Sequence, residues 1–462
     1  MSYRFCCGCL YIMLVTSGCG VSNNGIAQET DLSKSSEQTE SLWSRSGLDW
    51  PSFLGPERNG KSAETGLRFD WGERPPQVVW SQRIGEGYGS GVVANGRYFH
   101  FDRVADEARL RAFHAETGAL LWEFNYPTEY TDMYGFDGGP RGSPVVDGKR
   151  VYFHGVEGML YCVNAETGQE IWRCDTAEKF GVIQNFFGAG STPLVHKDLL
   201  ITMVGGSPAE SRAVPFGRLA EVKPDGNGIV AFDKFTGEVR YASINDLASY
   251  ASPVIAELNG KPTGLAFLRS GLASFDPDSG EVGFQYPFRA RKFESVNAST
   301  PVVTGNTVLI TESYGPGGAL LDIQNGLPKA VWADQGGRDQ SLACHWNTPI
   351  VVDGYAYASS GEKQSRAMLR CVRMSDGQVM WEEPGLTRSS LTLVDGQLIC
   401  LCENGRLFAF KPDPNAFQVS TEMDVDGLRL LYPCWASPII SHGYLYVRGK
   451  SKIWCLDISQ QK

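Results

Sequence analysis

The chain has no adjacent cysteine pair beyond its first nineteen residues, no cysteine–histidine cluster at zinc spacing, and only six histidines in 462 residues. A structural or catalytic zinc site is therefore not expected. No amphipathic helical stretch of length is present, so a helical bundle or a doubly wound α/β fold is excluded. Lys and Arg are scattered over a chain of formal net charge −10. With no basic stripe, nucleic acid is excluded as a partner. The one marked apolar run, Leu10-Tyr11-Ile12-Met13-Leu14-Val15, is too short to span a bilayer as a mature helix.

What the chain has in quantity is turns and an internal echo. Gly and Pro number 53 and 24. The phrase His114-Ala115-Glu116-Thr117-Gly118 leading to Trp122 returns as Asn164-Ala165-Glu166-Thr167-Gly168 leading to Trp172. A period of about fifty residues signals a repeat architecture. Weaker copies run from Asp233 to Tyr241, Asp276 to Phe284, Met374 to Trp381 and, with a longer step, Asp322 to Trp332. Each reads as a hairpin: an apolar strand, a glycine turn whose Asp or Asn caps the amides, and a strand carrying an aromatic. The aromatic is placed to dock on a neighbouring unit.

A second signal precedes each turn, a strand start of Ser/Thr-Pro-Val type. It occurs at Ser90, Ser143, Ser191, Ser252, Thr300, Thr348, Ser389 and Ser437. Proline at a strand's first residue costs no ladder hydrogen bond. Eight starts at roughly 40–60-residue spacing predict an all-β, eight-bladed β-propeller of four-stranded blades, with seven blades the alternative. The last start leaves room for three strands only. Val78–Ile84, with Trp80, is expected to supply the fourth, closing the ring on the N-terminal strand. Residues 204–228 form the longest insertion and read as a rim loop or partial cap.

Residues 1–18 read as a signal peptide of lipoprotein type, because Thr16-Ser17-Gly18-Cys19 places small residues before a cysteine. Thr16 stands where leucine is usual, and an ordinary secretory signal or an uncleaved anchor are the alternatives. Cys19 is the expected lipidation site. Residues 19–47, polar and poor in apolar groups, read as a disordered tether averaging roughly 30 Å end to end. The propeller is assigned residues 48–462, off a membrane and monomeric. Cys162, Cys371 and Cys455 share a column with Ala112, Ala231 and Ser274 and read as small packing residues. Cys174, Cys344, Cys400, Cys402 and Cys434 remain, and the sequence does not say whether any two are bridged.

Functional groups on a propeller are expected on the loops leading into the innermost strands. Those loops carry Arg141, Asn185, Tyr250, Glu294, Asn297, His345, Trp346, Arg388, Tyr432 and Trp435. They are the candidate ligand-binding residues of an axial mouth, with a channel plugged by its own side chains as the structural alternative. His345 has no evident nucleophile or metal partner and reads as a rim residue. Arg141 and Arg388 would repel unless a carboxylate lay between them, a part Glu294 could play.

The Asp/Asn-x-x-Thr-Gly-x-x-x-Trp phrase, clearest at Asn164–Trp172, resembles the repeat of pyrroloquinoline-quinone-type (PQQ-type) propellers over about residues 78–462. Two kinds of relatives carry it. In the quinone-dependent alcohol and glucose dehydrogenases the resemblance implies PQQ and Ca²⁺ at the axial mouth, with Glu294 and Asn297 as possible calcium ligands. This chain departs from that pattern, since its mature part has no adjacent cysteines and no Cys-x-x-Cys-His haem attachment. In a lipoprotein of the outer-membrane β-barrel assembly machinery the resemblance implies a non-enzymatic propeller that presents loops to an envelope protein partner. The leading Asp49-Trp50-Pro51-Ser52-Phe53-Leu54-Gly55-Pro56 segment also resembles that of a bacterial group of propellers. The expectation is a binding or scaffold protein at the periplasmic face of the outer membrane, with no resident cofactor. A PQQ-dependent oxidoreductase and a carbohydrate or peptide receptor are the alternatives.

Overall fold

Turn chemistry sets the architecture. In the hairpin between strands Met159–Asn164 and Glu170–Asp175, the Asn164 side-chain oxygen accepts the amides of Glu166 and Thr167, both at 2.9 Å. Gly168 then takes φ +73°, which a residue with a Cβ resists. Asp233 and Asp276 cap their turns in the same way. The fifth copy departs from the rest: Asn325-Gly326 makes a two-residue hairpin between strands Gly317–Gln324 and Leu327–Ala333, which accounts for its longer step to Trp332.

The computed structural model describes residues 40–460, apart from residues 184–185, 293–295, 338, 424–427 and 429, and apart from the side chains of 216, 217 and 219. Eight antiparallel sheets follow one another along the chain, and the molecule is an eight-bladed β-propeller. The innermost strands are Val92–Ala94, Val145–Asp147, Leu194–His196, Val254–Leu258, Val302–Thr304, Ile350–Val352, Ser389–Val394 and Ile439–Ser441. Each follows one of the eight predicted starts. The last blade is closed by Gln77–Arg83, which pairs antiparallel with Lys452–Asp457.

The recurring aromatic locks blade to blade. Trp122 Nε1 donates to Ala165 O of the next blade at 3.1 Å, and Trp172, Trp332, Trp381 and Trp80 repeat the bond to Lys234, Met374, Asp413 and Ala115. The Tyr241 hydroxyl does the same to Pro277 O. Trp80, Trp122, Trp172 and Trp332 each lie on a turn glycine of the next blade, so a Cβ on Gly168 would sit 2.6 Å from the Trp122 ring. The repeat glycine thus serves both positive φ and close approach. Opposite the aromatic in the paired strand stands a small residue, as in Ala112↔Trp122, Cys162↔Trp172, Cys371↔Trp381 and Cys455↔Trp80. The three cysteines are packing residues in this slot. All eight cysteines among the described residues are free thiols.

A second device runs around the axis. The Ser143 amide donates to Thr192 Oγ1, Thr192 to Ser252 Oγ, Ser252 to Thr300 Oγ1 and Thr300 to Thr348 Oγ1, at 3.0 to 3.3 Å. From the second blade to the sixth, the hydroxyl of the strand-start motif therefore links each blade to the one before it.

Residues 49–62 cross the axis at the opposite pole. Trp50 bridges to Val93 in the first blade, and Pro51 O accepts the Val146 amide of the second. The segment emerges at the seventh, where Lys61–Ser62 lie parallel to Leu393–Val394. Gly60 lies at φ +73°, and a Cβ there would meet Ile350 at close range. Glu64 then accepts the His442 and Gly443 amides of the eighth blade. This strap is tied to both sides of the ring and seals one end of the channel.

Candidate functional site

The other end of the channel is open. The loops entering the innermost strands surround a cavity of about 710 Å³, within the range of small-molecule sites. Phe53 of the strap forms its floor and also borders the small space beneath, beside Thr192 and Ser252. The channel is thus neither empty throughout nor plugged by mouth side chains: it is open above Phe53 and closed below.

Seven of the ten sequence candidates line the cavity: Arg141, Tyr250, His345, Trp346, Arg388, Tyr432 and Trp435. Asn297 does not. It is 1% exposed, and its amide donates to Leu268 O at 2.7 Å and Phe288 O at 3.1 Å, tying a loop together behind the wall. Proximity to a strand start brought it onto the candidate set, but its side chain turns into the blade. Asn185 and Glu294 lie outside the described residues, as does Cys19.

The two arginines meet charge partners other than Glu294. Arg141 donates to Asp132 at 2.8 Å, to Asp137 at 3.2 Å, and to Gly139 O and Asp137 O. Arg388 makes a two-pronged pair with Glu403, at 3.0 and 2.8 Å, and donates to Glu362 O. The Asp132 and Glu403 carboxylates are fully shielded from solvent. Hairpin register carries the second pair: Ser389 faces Cys402, so Arg388 and Glu403 are the next residues outward on adjacent strands. Pairing of this kind, with each guanidinium held by its own carboxylate, removes the repulsion that two isolated cations would suffer.

Aromatic rings form the walls. Tyr88 and Trp435 have centroids 4.4 Å apart, and Trp346 and Trp435 4.9 Å. The Trp346 indole donates to Trp435 O and the Trp435 indole to Glu403. The guanidinium of Arg388 lies 4.6 Å from the Trp346 centroid and that of Arg141 4.8 Å from Tyr88, within cation–π range. Across the cavity Tyr134, Phe136, Phe187 and Tyr250 make a second wall. The Tyr250 hydroxyl accepts the Phe187 amide at 2.8 Å. Tyr134 and Phe136 escaped the sequence reading because they lie far ahead of the Ser143 strand start, whereas Tyr88 stands as close to Ser90 as Arg141 does to Ser143 and had a signal that could have found it. Val222 and Val214 of the 204–228 insertion pack in the cluster of Phe186, Val296 and Tyr250. The insertion buttresses this wall, in keeping with its expected place at the rim.

Burial, with the Arg388 charge beside it, pushes the His345 imidazole down to about 3, so it is neutral near pH 7. Its Nε2 meets the Tyr314 hydroxyl at 3.1 Å, and its Nδ1 finds no hydrogen-bond partner among the described residues. Among the described residues no serine or cysteine bonds to it, so no nucleophile is placed there for it to activate. Burial, together with Asp137, pushes Tyr88 up to about 12, and burial raises Tyr250. These phenols are neutral near pH 7, and the mouth offers them as hydrogen-bonding groups and flat faces.

Among the described residues the donor set does not suit an anionic quinone with Ca²⁺; Glu294, one of the two expected calcium ligands, lies outside them. Both cavity arginines are already neutralised. Asn297 Oδ1 is buried without a partner among the described residues but lies outside the lining. Among the described residues no group of three His, Cys, Asp or Glu side chains could hold a metal ion.

A ring of blades joined by indole-to-turn bonds, with an aromatic mouth at one pole, defines the class as a PQQ-like repeat propeller. Residues 106–383 match the family model described as outer membrane protein assembly factor BamB, and the chain belongs to that family. The outer membrane protein assembly factor BamB of Yersinia pestis is 20% identical over 313 residues, 66% of this chain and 70% of that protein. Among solved structures, BamB from Moraxella catarrhalis superposes with a TM-score of 0.55 at 14% identity, covering 84% of this chain and 98% of that one. Quinohemoprotein alcohol dehydrogenase from Comamonas testosteroni gives 0.62 at 13% identity, covering 90% and 81%. At these identities the superpositions speak for the fold.

Proposed function

We propose that this protein is an exported, lipid-anchored binding protein of the bacterial cell envelope, a monomer that holds an envelope partner or ligand at its axial mouth without transforming it. The observation that carries this reading is an open, aromatic cavity whose described charged groups are closed on one another. Such a site has surface for recognition but no activated nucleophile and no poised base. Membership of the BamB family supports a scaffold role in outer-membrane protein assembly, with the partner among the components of that assembly. The path of the chain suits an anchored orientation. Leu42 bonds to Asn95 O, Glu40 O accepts from Arg97, and Trp43 stacks on His442. These turns end the innermost strands at the pole opposite the mouth, so attachment through Cys19 would leave the mouth unobstructed.

Two measurements test this. In the native envelope Cys19→Ala should move the protein from the membrane to the soluble fraction. From detergent-solubilised membranes the full-length protein should recover outer-membrane assembly components. A Phe136→Ala/Tyr432→Ala double variant, altered only at exposed rim positions, should recover at least fivefold less. Equal recovery by the variant would overturn the mouth as the binding surface.

A further inference from the structure

Resting on the reading of the mouth as a binding site, we infer that its ligand is a neutral oligosaccharide of a few sugar rings. Three independent features of the cavity converge on that chemistry. The first is charge. Four Arg141 bonds and the two-pronged Arg388–Glu403 pair leave no unpaired cation among the described lining residues. An anionic ligand would have to compete with carboxylates already in place, whereas a neutral one takes up only the remaining N–H groups.

The second is shape. Trp346 and Trp435 on one side, and Phe136, Phe187 and Tyr250 on the other, present flat apolar faces across one cavity. A pyranose offers a C–H face to such rings while its hydroxyls project around the edge, which a fully apolar ligand cannot do. The third is the floor. Thr192 and Ser252 are buried hydroxyls that line the cavity. The oxygen of each already accepts a backbone amide from the preceding blade. Each retains its O–H as a donor, beside one further lone pair, in a geometry fixed by the bond already accepted. A neutral ligand with apolar faces and many acceptor oxygens satisfies all three features, and the volume of about 710 Å³ accommodates several rings.

The test is intrinsic tryptophan fluorescence and saturation-transfer NMR on the full chain with maltotriose, cellotriose, chitotriose and mannotriose. The acidic trigalacturonate and a neutral hexapeptide containing tryptophan and phenylalanine serve as contrasts. The expected result is saturable binding of at least one neutral trisaccharide, weakened tenfold or more by Phe136→Ala/Tyr432→Ala. Glu403→Gln, which releases Arg388 from its carboxylate, should gain binding of trigalacturonate that the native protein lacks. Trigalacturonate binding as tightly as the neutral sugars to the native protein would overturn the inference. So would binding of the hexapeptide alone, which leaves the mouth a binding site for a different chemistry. Failure of every probe, while the rim variant still loses its membrane partner, overturns the sugar and spares the proposed function.

Discussion

Two sets of tryptophans divide this molecule. Trp80, Trp122, Trp172, Trp332 and Trp381 each give their indole N–H to the next blade's turn. Trp346 and Trp435 also engage their N–H groups, yet their rings face a cavity and carry an arginine on one side. The first set stands at one place in the outer strand of each blade and builds the ring. The second follows no repeat and builds the mouth. A side chain bound into the periodicity serves the scaffold, and one outside it is available for recognition.

The sharpest way to break that contrast is to remove one member of the first set. Trp122→Ala takes away a buried indole and its bond and should lower unfolding stability by about 3–5 kcal/mol, read as a fall in the denaturant midpoint. A mouth tryptophan, partly solvated, should cost clearly less, and equal losses would erase the distinction. Glu403→Gln should cost about 3 kcal/mol, because it strands Arg388 with a neutral partner in a largely buried setting. Sulfate should raise the melting temperature of that variant more than that of the native protein, and an identical salt response would show that Arg388 is not released. Phe53→Ala, which opens the floor, should cost about 1–2 kcal/mol for a half-buried ring and let a small apolar dye reach the space beneath.

The smallest effect is one of pH. The His345 imidazole is held at about 3 in the folded protein, against about 6.5 when unfolded. Between those values the unfolded chain binds a proton that the native one does not, so stability rises with pH across the window and is lost as pH falls from about 6.5 toward 3. The slope approaches about 1.4 kcal/mol per pH unit within the window, so roughly 1 kcal/mol separates pH 6.5 from pH 5.5. His345→Gln should flatten it, with urea midpoints at the two pH values as the measurement. An unchanged slope would point to another group, of which His154, held at about 4 by burial, is the nearest in kind.

Most of the ring was readable because its determinants are local and periodic: a capped turn, a glycine, an aromatic at fixed offset. The closing strand followed from the same logic, and the cysteine slot from column alignment. The mouth was readable as a set of loops and less so as a set of partners. Asn297 sits in the right loop and faces the wrong way, which spacing alone does not reveal. Asp132, which pairs with Arg141 from the same loop, and Glu403, which pairs with Arg388 from the end of the adjacent strand, come into reach only through folding. Phe53 is more than thirty residues ahead of the first blade, so its place on the axis is a property of the strap's path.

That strap also sets an order of events. Lys61–Ser62 need Leu393–Val394, and Gln77–Arg83 need Lys452–Asp457, so the first strands of the chain find their partners only after nearly all the rest has been made. Until then the eighth blade lacks a strand and the seam beside it stands open, with apolar edges unpaired. Contacts this distant in sequence form late and slowly. A chain delivered from its N-terminus is therefore exposed to misassociation for the whole of its passage, and ring closure is its final, committing step.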